Sequence, residues 1–288
     1  MNFSRKISIS AAIMTLSLCY SVRSSAQRPV RFHNETTDTT TITNILIDLD
    51  KEKYSSPQEL VSMAGKKLLG IPYVANTLEG DSEILTVNLD EVDCTTFMEM
   101  AAALAKTIES HRTSWRDFVY NLEQLRYRGG RVDGYPSRLH YISDWIVDNS
   151  HRDNVKEVTA LIGPTDYAVK TIDFMSTNRD KYPSLKDEAA FTGIKNAEIG
   201  YRSHRNPYIK PMNVKKAKIE EGDIIAITTS IKGLDVSHVG IATIIDGKVH
   251  LMHASSKAKK VIVDPLPLDE YLRRNRSATG IRVIRLKE

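Results

Sequence analysis

"VSHVGIATIIDGKVHLMHASS", residues 236–256, is the stretch from which the fold follows. Asp246-Gly247 is a two-residue hairpin signal between two β-branched runs. With Ile245 opposite Lys248, counting back pairs Thr243 with His250, Gly240 with His253 and His238 with Ser255. Side chains alternate between the faces of a strand. His238, Gly240 and Ala242 therefore share a face with Leu251, His253 and Ser255, while His250 points to the other side. His238 and His253 become diagonal neighbours roughly 7–8 Å apart. Of the eight histidines in the chain, parity selects these two, provided no β-bulge intervenes.

Outward from the hairpin, "DIIAITT", "KVIVD" and "IRVIRL" are further short strands bounded by turn residues. The chain before Gly222 reads mostly as helix, so the fold class is α+β, an antiparallel sheet following helices. "SSPQELVSMAGKKLLGIPY" is a punctuated helix. Ser56 caps it, Pro57 suits its first turn, Glu59 completes a capping box, and Gly70 and Pro72 end it. Leu60, Val61, Ala64 and Leu68 form its apolar stripe.

The next helix starts within "NLDEVDCTTFMEMAAALAK". Asp93 caps it, and Phe97, Met98, Ala101, Leu104, Ala105 and Ile108 recur at helical spacing. Cys94 falls in the first turn, where unpaired N–H groups and the helix dipole favour negative charge. That placement predicts a lowered thiol pKa. A thiol there, with His238 facing it from the sheet as general base and His253 orienting the imidazole, has the logic of a nucleophile–base–orienter triad. Acyl transfer or amide hydrolysis is the reaction class it suits, with helix-start N–H groups supplying part of an oxyanion hole. A metal pair or hydrogen-bonded core histidines are the competing readings. No zinc-ligand spacing, phosphate loop or dinucleotide fingerprint occurs, so no cofactor or metal is expected.

The chain has 288 residues and a formal charge of +4. Residues 1–26 combine a basic start, an apolar run and a small-residue site at Ser24 and Ala26, the pattern of a secretory signal peptide. An uncleaved anchor is the alternative. Leu18 before Cys19 is too bulky for a lipoprotein site. Removing 1–26 takes Arg5, Lys6 and Arg23 with no acid, so the charge falls by three to +1 and no nucleic-acid partner is implied. Two cysteines become one, Cys94, and a lone thiol in an exported chain suggests reactivity or intermolecular pairing. The mature chain is expected in the periplasm or outside the cell, with no stable membrane insertion after cleavage. Residues 27–42, polar and Thr-rich, read as a mobile segment, residues 43–288 as one domain, and about 110–205 as a largely helical insertion within it.

Cysteine at a helix start, then histidine on a strand, then a polar residue on the next strand resembles the NlpC-like cysteine peptidases, papain-like hydrolases of cell-wall peptides. "GIPYVANTLEG" places Tyr73 as in that superfamily's motif before the nucleophile. Its usual "DCSG" reads "DCTT" here, with Asp93 and Cys94 matching while Thr95 and Thr96 depart. The stretches "YVANTLEG", "NLDEVDCTTFMEM", "SRLHYISDWI", "GDIIAITT", "GLDVSHVGIA" and "LMHASS" are similar to a branch of secreted N-acetylmuramoyl-L-alanine amidases long catalogued as a domain of unknown function. The likeness covers most of residues 55–286. It implies a papain-like core with a helical insertion and cleavage of the amide between the lactyl group of N-acetylmuramic acid and L-Ala. It carries over Cys94 as nucleophile, His238 as base and His253 as orienting residue.

With a muropeptide as partner, Arg128, Arg138, His140, Tyr141 and Trp145 are expected to hold carboxylates or stack on a sugar. Tyr73, Asp93, Thr95 and Ser255 are expected to line the site. Two alternatives stay open: a γ-D-glutamyl endopeptidase with the same triad, and a non-catalytic wall-binding module.

Overall fold

The computed structural model describes residues 29–201 and 204–287; the expected signal peptide lies outside them. In chain order the elements are β1 (Val30–Phe32), α1 (Glu35–Asp50), α2 (Pro57–Lys67), β2 (Leu85–Val87), α3 (Cys94–Glu109), α4 (Trp115–Arg126), α5 (Ile142–His151), β3 (Val155–Glu157), α6 (Thr159–Ile162), β4 (Asp166–Val169), α7 (Phe174–Thr177), α8 (Glu188–Gly200), β5 (Arg205–Tyr208), β6 (Ile224–Thr229), β7 (Val236–Ile245), β8 (Lys248–Ser255), β9 (Lys260–Pro267), α9 (Leu268–Arg274) and β10 (Ala278–Leu286). The fold is mixed α+β, and its main sheet is antiparallel in the order β3-β10-β6-β7-β8-β9.

One face of the sheet packs α2 and α3 through Ala226, Val239, Ile241 and Met252. The other carries Ile225, Ile227, Ala242 and Leu251 under α6 and α9. Helix α3 is buried on almost every side, as a helix apolar all round must be. Its one interior carboxylate, Glu99, accepts a 2.6 Å hydrogen bond from Arg126 Nε, and Arg126 Nη1 donates to Thr86 O at 2.6 Å. Helix α2 starts as the sequence predicts, Ser56 Oγ accepting from Glu59 N at 3.2 Å, but Glu59 returns its carboxylate to Ser55 N and Oγ instead of Ser56.

One expectation needs correction. Residues 30–42 of the expected mobile segment are folded: β1 pairs with β2, and α1 begins at Glu35 with Asn34 capping Thr37 N. Its Thr-rich surface hides an interior stripe of Asp38, Ile42, Leu46 and Leu49, in which Asp38 accepts from Asn34 N at 2.9 Å. A carboxylate that serves as an internal cap reads as polar surface in the sequence. The segment 110–205 packs into the rest of the fold. Phe118, Leu122, Leu125 and Trp145 enter the main core, and β3 pairs with β10 at the sheet edge. A smaller apolar cluster of Tyr135, Tyr141, Ile172, Met175, Leu185 and Ile194 holds the rest.

Candidate active site

Asp93 Oδ1 accepts from Thr96 N at 2.8 Å, and Thr96 Oγ1 accepts from Asp93 N at 2.9 Å. This reciprocal box fixes the start of α3 and gives Thr96, one of the departures from "DCSG", a structural task. Cys94 follows, half-buried. Its sulfur takes hydrogen bonds from the backbone N–H of Val239, the Thr95 hydroxyl and its own N–H. These, like the helix start, favour the thiolate. Burial and the neighbouring Asp93 carboxylate outweigh them and push the thiol up to about 11. The expectation of a lowered thiol pKa is therefore overturned: position at a helix start was legible in the sequence, and the depth of burial was not.

The hairpin register runs from Ile245–Lys248 to Ile241–Met252 as counted, across a turn in which Asp246 and Gly247 both have positive φ, 49° and 72°. Beyond Ile241–Met252 the register ends, and β7 and β8 continue toward His238 and His253. A bulge does occur, at Ser237 between the pairs Ile227–His238 and Thr228–Val236, but it lies on the β6 side and leaves the parity intact. His238 Nε2 and His253 Nδ1 stand 2.6 Å apart, with the rings perpendicular and 4.8 Å between centroids. Gly240 permits this: a Cβ there would sit 2.7 Å from Met252 O and 3.0 Å from His253 Cβ.

The pair does not face α3 across the sheet, as the sequence reading supposed. His238 lies opposite Ile227 on the face that α9 covers, and the ring of Tyr271 meets His253 edge-on at 5.5 Å. Cys94 approaches from the end of its helix, at Val239 N–H, near enough to the phenols of Tyr271 and Tyr73 that a negative charge on its sulfur raises both. Burial lowers both imidazoles to about 4, so both are neutral at pH 7. His253 is 2% exposed, and its Nε2 faces Asp264 Oδ2 at 3.6 Å. Sequence reasoning missed Asp264 and Tyr271. The only trace of the former is an Asp-Pro step interrupting the alternation of "VIVDPLP".

A family model described as AmiA-like, N-acetylmuramoyl-L-alanine amidase-like, matches residues 63–281. The chain belongs to that family. Among solved structures, an N-acetylmuramoyl-L-alanine amidase from Bacteroides uniformis ATCC 8492 is 40% identical, with a TM-score of 0.78 over 81% of this chain and 100% of that one. A Bacteroides fragilis protein assigned provisionally as a xylanase is 42% identical, with a TM-score of 0.73 over 77% of this chain and 99% of that one. A Legionella pneumophila protein, 20% identical with a TM-score of 0.67 over 88% and 96%, shares the fold. No match was found among curated proteins.

In this amidase-like chain the structure assigns the expected ligand-holding groups of residues 128–145 to internal contacts. Trp145 is 0% exposed in the main core and cannot stack on a sugar. Tyr141 is buried, its hydroxyl donating to Glu198 Oε1 at 2.7 Å and accepting from Met175 N. Arg138, 6% exposed, pairs with Glu79 at 2.6 Å and faces Glu83 at 3.6 Å. Arg128 forks onto Asp144. His140 Nε2 donates to Tyr135 O at 2.9 Å, and burial lowers its imidazole to about 3. Ser255 Oγ accepts from Ala258 N at 3.1 Å and shapes the β8–β9 turn. Arg138 and Tyr141 are held by carboxylates within the fold, since a buried polar or charged group needs a partner.

Proposed function

We propose that this chain is an exported cysteine amidase, with an NlpC-type papain-like core, that hydrolyses the N-acetylmuramoyl–L-alanine bond of muropeptides. Membership of the amidase-like family supports the peptidoglycan substrate. The observation that carries the mechanism is the hydrogen-bonded His238–His253 pair together with a thiol at the start of α3 that is held at the N–H of Val239, the residue after His238.

With His238 Nε2 engaged by His253, its Nδ1 is the nitrogen left for the thiol. Cys94 and His238 are both neutral at rest, so the proton moves as the sulfur attacks. Nδ1 takes it while the S–C bond forms at the lactyl carbonyl. Backbone N–H groups of the first turn of α3 would supply part of an oxyanion hole. The tetrahedral intermediate collapses with cleavage of the C–N bond, and His238 returns the proton to the L-Ala nitrogen. Peptide leaves, and the lactyl group stays on Cys94 as a thioester. Water, deprotonated by His238, attacks that thioester, and the C–S bond breaks to restore the thiol. Tyr73, whose phenol neighbours Cys94, borders the entry.

Mass spectrometry of a defined muropeptide, treated with the mature chain or with Cys94→Ala, tests this reading. Free peptide beginning at L-Ala together with the released sugar is expected from the unmodified chain alone. A cut at the γ-D-glutamyl bond would move the scissile amide and make the chain an endopeptidase with the same triad. No Cys94-dependent product would reject the hydrolase reading in favour of a wall-binding module.

A further inference from the structure

We propose that Asp264 is a positioning residue that sets the tautomers of the His253–His238 pair and so leaves Nδ1 of His238 as an unprotonated base. The inference rests on the reading of His238 as general base. His253 Nε2 is buried and has no hydrogen-bond partner among the described residues, and the group it faces is Asp264 Oδ2, at 3.6 Å. An ionised carboxylate only accepts, and a neutral imidazole has one donor and one acceptor nitrogen. With its proton on Nε2, His253 points a donor at the carboxylate and accepts at Nδ1. Across the 2.6 Å contact the proton then belongs to His238 Nε2, and His238 Nδ1 carries a lone pair. The opposite arrangement sets the Nε2 lone pair of His253 against a carboxylate oxygen and puts a proton on His238 Nδ1, where no base remains. The charge at Asp264 thus decides a proton position two rings away.

The fold holds that carboxylate in place. Strand alternation from the pair His253–Ile262 puts Asp264 on the face of His253, where β9 carries two more residues than β8 between the pairs Met252–Val263 and His250–Pro267. Asp264 Oδ1 accepts from Leu266 N at 2.9 Å, and its backbone carbonyl accepts from His250 Nδ1 at 2.9 Å. His250, which parity excludes from the site, thereby anchors the backbone of the residue that orients it.

Asp264→Asn and Asp264→Ala separate this role from a structural one. In the asparagine variant Oδ1 can keep the Leu266 N–H while the amide nitrogen points a donor at His253. Both rings are then forced into the inactive tautomers. In the alanine variant neither tautomer is imposed. The assay is nitrogen–proton correlation NMR of the histidine side chains at pH 7, with kcat and KM on the muropeptide. Expected are Nε2–H on both rings in the unmodified chain and Nδ1–H on both in Asp264→Asn. The asparagine variant should lose roughly 10²–10⁴-fold in kcat, the range of a lost general base, with KM little changed. Alanine should lose less than asparagine. Unchanged tautomers in Asp264→Asn, or a larger loss in alanine than in asparagine, would overturn the proposal. If neither variant folds, Nδ1–H on His253 in the unmodified chain overturns it and Nε2–H upholds it. Activity surviving in Cys94→Ala would sink the nucleophile reading instead, while the NMR result stands independently of turnover.

Discussion

Arg126 meets Glu99, Arg128 meets Asp144, and Arg138 meets Glu79 and Glu83, so on the α4–α5 side of the molecule each of these cations is neutralised by a carboxylate. At the Cys94 end of α3 the buried groups are neutral instead: a thiol raised to about 11 and two imidazoles lowered to about 4. Both regions bury ionisable side chains, and the difference lies in what their protons can do. A paired charge has its proton fixed and holds elements together. Neutral groups with displaced pKa values, two of them hydrogen-bonded to each other, can pass a proton when a reacting group changes its charge.

The sharpest way to break that contrast is at the sulfur. Cys94→Ala should take turnover below detection while unfolding free energy, read by denaturant titration, stays within about 1 kcal/mol. Residual activity would move the chemistry elsewhere. His238→Ala should lower kcat by roughly 10²–10⁴-fold, and His253→Ala by less, because orientation contributes less than proton transfer. The reverse order would exchange their roles.

On the arginine side the opposite profile is expected. Arg126→Ala strands the buried Glu99 charge and should cost about 3–5 kcal/mol of stability. Trp145→Ala should cost a similar ~3–5 kcal/mol by opening a cavity. Neither should change KM per folded molecule; a rise in KM would restore Trp145 to a binding role.

The smallest effect is on pH dependence. An unfolded histidine titrates near ~6.5, whereas His238 and His253 titrate at about 4 and His140 at about 3 in the fold. The unfolded chain therefore binds more protons in that interval. Stability should fall as pH drops from about 6.5 toward 3 and be unaffected by these groups above it. The acid limb of kcat/KM should lie near pH 4, where His238 gains its proton; a limb near 6.5 would mean a solvated imidazole.

How much of this was legible beforehand depends on the range over which each feature is encoded. The hairpin turn, its register and the identity of the facing histidines are local, since Asp246-Gly247 and a period of two leave little freedom. The caps at Ser56 and Asp93 are local too. The internal partners of the residues expected to hold a ligand are not local. The carboxylates that claim Arg128 and Arg138 lie as far off as Asp144 and Glu79, and Trp145 reads as exposed or buried only once α3 and α4 are in place.

The sequence by itself determined an α+β chain with one cysteine at a helix start and two histidines on one face of a hairpin, because turn chemistry and side-chain alternation act between near neighbours. Tertiary structure alone decided which face that pair presents, that burial and not the helix start governs the thiol, and that Asp264 stands behind His253. Those depend on desolvation and on the pairing of β8 with β9, which exist only after the segments have packed.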